Sequence, residues 1–250
     1  MEATTFLVAA TFLSTSCAPQ SGALATQCVV NQDQSSLFKG HWTTQPVPLA
    51  VVVNDFTATE LEAVEASIAT WNTFFTASKG FSLYLQSSTS KAILGTIGQG
   101  STRLSSATTC SQTIVNGSGF NRQIMIYKNA STWTYGSAIM ALTSLCPVTT
   151  GNSEFRMFTS AVMEVNFVNY FGSGKPIPDL QSIVTHELGH MLGLDHSCNG
   201  TACNNAPDDY TNAIMYPSLG FTGINGQVKR TLQNNDQERA NCLYGSTATK

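Results

Sequence analysis

The chain has 250 residues, 42% of them hydrophobic and only 11% charged, and its 12 Lys and Arg against 15 Asp and Glu give a net charge of −3. The apolar fraction supplies a sizeable core and excludes intrinsic disorder, and without any basic run nucleic acid is not an expected partner. The longest apolar stretch, Phe6 to Leu13, is far short of the ~18 residues of a membrane span, which excludes a multi-pass membrane protein.

In chain order, Phe6 to Leu13 has the length of a signal-peptide core and runs through small residues into Cys17, so residues 1–17 read as an export segment. Cys17 in that place is similar to the lipidated cysteine of bacterial lipoproteins, and Ala23-Leu24-Ala25 offers a competing ordinary cleavage site. Residues 18–40 are polar and aperiodic, which reads as a tether, and residues 41–250 read as one folded domain.

Pro48 to Val53 is a β-branched run bounded by Pro and Asn54-Asp55, a buried strand. Leu61, Val64, Ile68, Trp71 and Phe75 then recur on a 3.6-residue period, with Thr57-x-x-Glu60 as capping box and Lys79-Gly80 as the stop of a long helix. Phe81, Leu83 and Leu85 alternate as in a strand, as do Ile124 to Tyr127 and Ala161 to Phe167, whereas residues 86–119 read mostly as loop with one edge strand at most. Pro178-Asp179 opens a second helix whose core face is Ile183, Val184, Leu188 and Leu192. Asn235-x-x-Glu238 reads as the capping box of a third, stopped at Gly245.

Seven cysteines stand at 17, 28, 110, 146, 198, 203 and 242. With Cys17 set aside, six remain, an even number that suits an oxidising compartment and allows 15 connectivities. The expected pairs are Cys198 with Cys203, Cys110 with Cys146 and Cys28 with Cys242, with Cys110 and Cys146 as plain buried thiols the alternative.

The second helix carries His186-Glu187-Leu188-Gly189-His190, followed by Gly193 and His196, the pattern H-E-x-x-H-x-x-G-x-x-H with three of the four histidines of the chain. Positions four apart share a helix face, so His186 and His190 can approach one ion, and imidazole nitrogens suit zinc. A straight helix would carry position 196 about 10 Å away. Gly193, free to adopt positive φ, can end the helix and return His196 to the same ion. Three imidazoles leave a tetrahedral zinc one position for water, and Glu187, about 100° around the helix from His186, is placed as general base. Activity is expected to fall in mild acid as imidazoles protonate near ~6.5. Asp195 reads either as a partner behind the histidines or as a solvated turn residue, and His41 as a surface or loop side chain.

Together these stretches resemble the metzincin metallopeptidases, most closely the matrixin (matrix-metalloproteinase-like) catalytic domain of bacterial lipoprotein type. The resemblance is carried by Ile183-Val184-Thr185 leading into the histidine motif and Gly193-Leu194-Asp195-His196-Ser197 closing it, by Ala213-Ile214-Met215-Tyr216-Pro217, which looks like a Met-turn, and by Leu232 to Gly245. It implies an α+β fold with a twisted mixed β-sheet, two long helices, a zinc cleft, the Met-turn and a C-terminal helix. It also implies that His186, His190 and His196 hold one catalytic Zn²⁺, that Glu187 is the catalytic residue, and that Met215 packs beneath the site. Tyr216 and Pro217 would begin the wall of a substrate pocket favouring an apolar side chain just after the cleaved bond.

The stretch between His196 and Met215 is longer than in short matrixins and holds Cys198, Cys203 and Asp208-Asp209, a disulfide-tied loop near the cleft. Calcium is an open second cofactor through Asp208 or Asp209, a second structural zinc is not expected, and Asn235 stands where the family often has Asp. Cys28 lacks the family's cysteine-switch surroundings and reads as a disulfide partner in preference to an inhibitory thiolate. The expected function is a zinc-dependent endopeptidase, monomeric and exported to the cell envelope or beyond. Peptide or protein would be its substrate, and a lipid anchor its one membrane contact. The alternative is a non-catalytic zinc-bearing peptide-binding or adhesion module of the same fold, against which Glu187 argues, since binding alone needs no base.

Overall fold

Thr57 starts the first long helix: its hydroxyl accepts from the Glu60 amide at 3.3 Å and its own amide donates to the Glu60 carboxylate at 2.7 Å. In the computed structural model, which describes residues 40–51, 55–85, 124–149, 156–198 and 200–245, this helix is α1, Ala58–Lys79. It ends at Gly80 with φ 77°. Val64, Ile68, Trp71 and Phe75, the periodic residues from its middle onward, are fully buried.

Five strands form one mixed sheet: β1 (Val47–Val51), β2 (Tyr84–Leu85), β3 (Ile124–Asn129), β4 (Ala141–Thr149) and β5 (Arg156–Asn166), in the order β2-β1-β3-β5-β4. All neighbours are parallel except β4, which runs antiparallel along β5 as an edge. Ile124, Met125, Ile126 and Tyr127 of β3 are buried in succession, as suits a parallel strand covered on both faces. α2 (Leu180–Leu192) starts where expected, with the Asp179 carboxylate accepting from the Ser182 amide at 2.9 Å. Beyond it come a 3₁₀ turn (Gly200–Asn205), a short α3 (Asp208–Thr211), a small hairpin of β6 (Phe221–Thr222) and β7 (Asn225–Gly226), and α4 (Asn234–Tyr244).

α2 is pinned by donors from four separate parts of the chain. The indole of Trp71 on α1 donates to Thr185 O at 2.9 Å and the hydroxyl of Tyr84 on β2 to Leu188 O at 2.6 Å. The indole of Trp42 donates to Met191 O at 2.7 Å and the hydroxyl of Tyr244 on α4 to Leu192 O at 2.8 Å. The last two satisfy carbonyls that the end of a helix leaves without an internal partner. Each bond is worth about 0.5–1.5 kcal/mol net, and leaving such a carbonyl buried without its partner would cost more.

Several expectations are corrected. β1 begins at Val47, one residue early, and Val52 and Val53 lie outside the described residues. β4 was not expected at all. α4 is capped by Gln233 and Asp236 in place of Asn235 and Glu238, because the Asp236 carboxylate takes the Gln233 amide at 2.9 Å while also reaching the segment below α2. His41 is half-buried, its ring edge-on to Tyr244 and its carbonyl accepting from Phe158 N at 3.0 Å, so it is not a surface side chain. Cys198 and Cys203 form a disulfide. Cys146 and Cys242 are also disulfide-bonded, and the pairings expected with Cys110 and Cys28 lie outside the described residues, as do Cys17, the export segment and the tether up to residue 39. Among the described residues no helix is long and apolar enough to cross a membrane.

Candidate active site

His186 and His190 lie one turn apart on α2, and Gly193 then takes φ 118° and closes the helix. Its amide donates to His190 O at 3.0 Å and that of Leu194 to Gly189 O at 3.0 Å, a reversal that brings His196 back onto the first two rings. Ring centroids are separated by 4.7 Å (186 to 190), 4.8 Å (190 to 196) and 5.3 Å (186 to 196).

The partners behind the rings define their tautomers. His186 Nδ1 lies 2.7 Å from Ile214 O and His190 Nδ1 lies 2.9 Å from Leu194 O. A carbonyl only accepts, so each Nδ1 carries the proton and donates, which places the ligating lone pair on Nε2. The ligand-type nitrogens of the three rings all lie within 4.8 Å of one another, and His190 Nε2 is 3.3 Å from His196 Nε2. Nitrogens about 2.0–2.1 Å from a tetrahedral zinc sit roughly 3.3 Å apart, so the donor set fits that ion. Burial, reinforced by the nearby Lys229 ammonium, pushes the His186 imidazole down to about 4 against the bond to Ile214 O. The ring stays neutral well below the ~6.5 of an exposed imidazole, which moves the acid limit expected for this residue downward.

Met215 is fully buried beneath the helix, and its position explains Gly189. A Cβ at Gly189 would lie 2.2 Å from Met215 Sδ and 3.2 Å from Trp71 Cζ2, so only glycine lets the thioether and the indole close on the helix. The turn bearing Met215 is held by Asp236 of α4, whose carboxylate accepts from the amides of Ile214 (2.9 Å) and Met215 (3.0 Å). Desolvation raises the Asp236 pKa, partly offset by these amides and by Arg239. Asp195 caps the return: its Oδ1 accepts from the His196 amide at 2.8 Å and its carbonyl from Arg239 Nη1 at 3.0 Å. It is therefore tied to the returning backbone and is not merely a solvated turn residue.

Glu187 is 7% exposed and lines the same cavity as the three histidines, a space of about 570 Å³. The hydroxyl of Thr143 on β4 donates to Glu187 Oε2 at 2.6 Å. Tyr216 and Pro217 line the cavity, and so do Ser182, Leu219 and Lys229, which sequence reasoning did not single out. Thr143 was missed because its strand was missed. Asp208 and Asp209 are exposed in the first turn of α3, and among the described residues the three histidines are the one group of His, Cys, Asp or Glu able to hold a metal ion.

A mixed sheet backed by two long helices, with three histidines from one helix and its glycine turn above a buried methionine, is the metzincin class of fold. The matrixin family model matches residues 106–245, more than half of the chain, and the chain belongs to that family. It is similar to two plant proteins of Arabidopsis thaliana. Identity is 37% over 68 residues with Metalloendoproteinase 2-MMP, covering 27% of this chain and 14% of that relative. It is 44% over 48 residues with Metalloendoproteinase 1-MMP, covering 19% and 10%. The matched stretches thus span less than a sixth of either relative's length.

Proposed function

We propose that the chain is a zinc-dependent endopeptidase in which His186, His190 and His196 hold the metal and Glu187 is the general base. The observation that carries this reading is the convergence of three imidazole nitrogens and one buried carboxylate on a single cavity. When bound, zinc supplies Lewis acidity toward water and toward a peptide carbonyl. Glu187 takes the proton from the attacking water and delivers it to the leaving amine nitrogen, which balances the hydrolysis of one peptide bond. Thr143 holds Oε2 of that carboxylate and so orients the group that moves the proton. Ile214 O and Leu194 O hold His186 and His190 in the tautomer that ligates through Nε2. Nothing in the site favours the non-catalytic binding module. The chain acts as an exported monomer on peptide or protein, with no nucleic-acid partner.

Metal removal tests the reading. Dialysis against a chelator is expected to lower cleavage of an unstructured protein by more than about 100-fold, since the Lewis acid is worth several kcal/mol of barrier, and stoichiometric zinc is expected to restore it. Chelated protein that retains full activity would overturn the proposal. A second measurement addresses Thr143. Thr143→Val removes a hydrogen bond to a charged group and is expected to lower kcat roughly 10-fold with KM unchanged, while Thr143→Ser retains activity. Equal loss in both variants would remove the positioning role.

A further inference from the structure

Among the described residues lining the cavity, Lys229 is the one lysine or arginine. Its backbone amide donates to Ser182 Oγ at 2.7 Å, which ties it to the first turn of α2, and both residues line the cavity. Its side chain reaches toward the opposite element: Nζ donates to Thr211 O at 2.6 Å and sits 4.8 Å from the centroid of the Tyr216 ring, itself a lining residue. The ammonium has three N–H groups, of which a carbonyl and an aromatic face occupy two.

Its surroundings do not neutralise it fully. Desolvation lowers its pKa, which marks a cation partly removed from water, and Asp236 counteracts this only in part. The Asp236 carboxylate already accepts from the amides of Gln233, Ile214 and Met215. Glu187, the one carboxylate lining the cavity, is held by Thr143 on β4 and is committed to the chemistry. A half-desolvated cation over the Tyr216 ring is therefore an unmatched feature of a pocket whose other walls include Ile139, Leu145 and Ile183. An anionic group entering that pocket gains a charge-assisted hydrogen bond that an apolar side chain forfeits.

We propose that Lys229 makes this cavity selective for a substrate side chain, flanking the cleaved bond, that ends in an oxygen acceptor, glutamate foremost. The inference rests on the endopeptidase reading and replaces the purely apolar preference expected from the resemblance. Glutamate and glutamine match methionine in length, so the apolar walls cover the stem equally and the terminal group decides.

The test uses the full chain loaded with zinc and peptides identical except for Met, Gln, Glu or Lys at each position next to the cleaved bond. At one of the two positions kcat/KM is expected to rank Glu, Gln, Met, Lys, with Glu about 10-fold above Met, as for a hydrogen bond between charged groups. Lys229→Met is expected to drop the Glu-to-Met ratio to about 1 or below, since the carboxylate then meets apolar walls without a partner, and Lys229→Arg to keep it. The same peptides are titrated into the Glu187→Gln chain, where Kd reads recognition without turnover and Glu is expected to bind about 10-fold tighter than Met. If no peptide is cleaved while this binding order holds, the endopeptidase reading fails and the selectivity stands. Equal kcat/KM and Kd for Glu and Met, or a ranking unchanged in Lys229→Met, overturns it. Should Lys229→Met not fold, the wild-type ranking and the binding order decide.

Discussion

Replacement of Glu187 by Gln is expected to lower kcat by about 10²- to 10⁴-fold, the usual contribution of a positioned general base, or roughly 3–5 kcal/mol of barrier. The amide has the volume of the carboxylate and keeps an oxygen to accept from the Thr143 hydroxyl that now holds Oε2 at 2.6 Å, so packing in the cavity is preserved. What it loses is the capacity to take a proton. Glu187 is not among the three residues whose nitrogens cluster, so zinc content should stay at one per chain and the melting temperature should move little. The combination separates a chemical role from a structural one. Interactions made only in the transition state lower kcat and kcat/KM together, and that is the pattern expected here. A Glu187→Gln chain with full kcat, or one whose activity falls only in proportion to lost metal, would remove Glu187 from the mechanism.

How much of this site is legible in the sequence depends on how local its causes are. The two histidines on α2 were legible because a 3.6-residue period and a helix start at Asp179 are properties of adjacent residues. Gly193 was legible for the same reason, since a glycine followed three residues later by a histidine states a turn and what it returns. β4 was not. Of its six N-terminal side chains only Ala141 and Cys146 are buried, the four between them are half-buried, and an edge strand beside a cleft carries no clean alternation. Thr143 disappeared with it. Three of the four donors to α2 were beyond reach for another reason: Trp42 to Met191, Trp71 to Thr185 and Tyr84 to Leu188 each join residues more than 100 positions apart. In sequence such aromatics are indistinguishable from ordinary core. Asp236 shows the same limit on a smaller scale, because the capping pattern two residues further on is equally good locally and only the Met215 turn decides between them.

Gly193→Ala tests whether the return of His196 depends on that one missing methyl group. Two separate costs meet there. At φ 118° an L side chain is strained, a cost of about 1–3 kcal/mol for sparsely populated backbone regions. A Cβ would also lie 1.9 Å from Gly40 O and 2.8 Å from Leu243 Cδ2. The leucine tip can rotate away, but the Gly40 carbonyl is backbone, so the turn itself must shift and carry His196 with it. Gly80 is the control, since it also has positive φ, 77°, yet a Cβ there meets nothing within 4 Å. Gly80→Ala should therefore cost only the conformational part, about 1–2 kcal/mol. Gly193→Ala should cost roughly 3 kcal/mol or more, a fall of about 6–12 °C in melting temperature for a domain of this size, and should weaken zinc binding as well. Thermal unfolding and zinc titration on both variants decide the matter. If the two lose equal stability and both bind zinc as the parent chain does, close packing at the end of α2 is not what sets the third histidine in place.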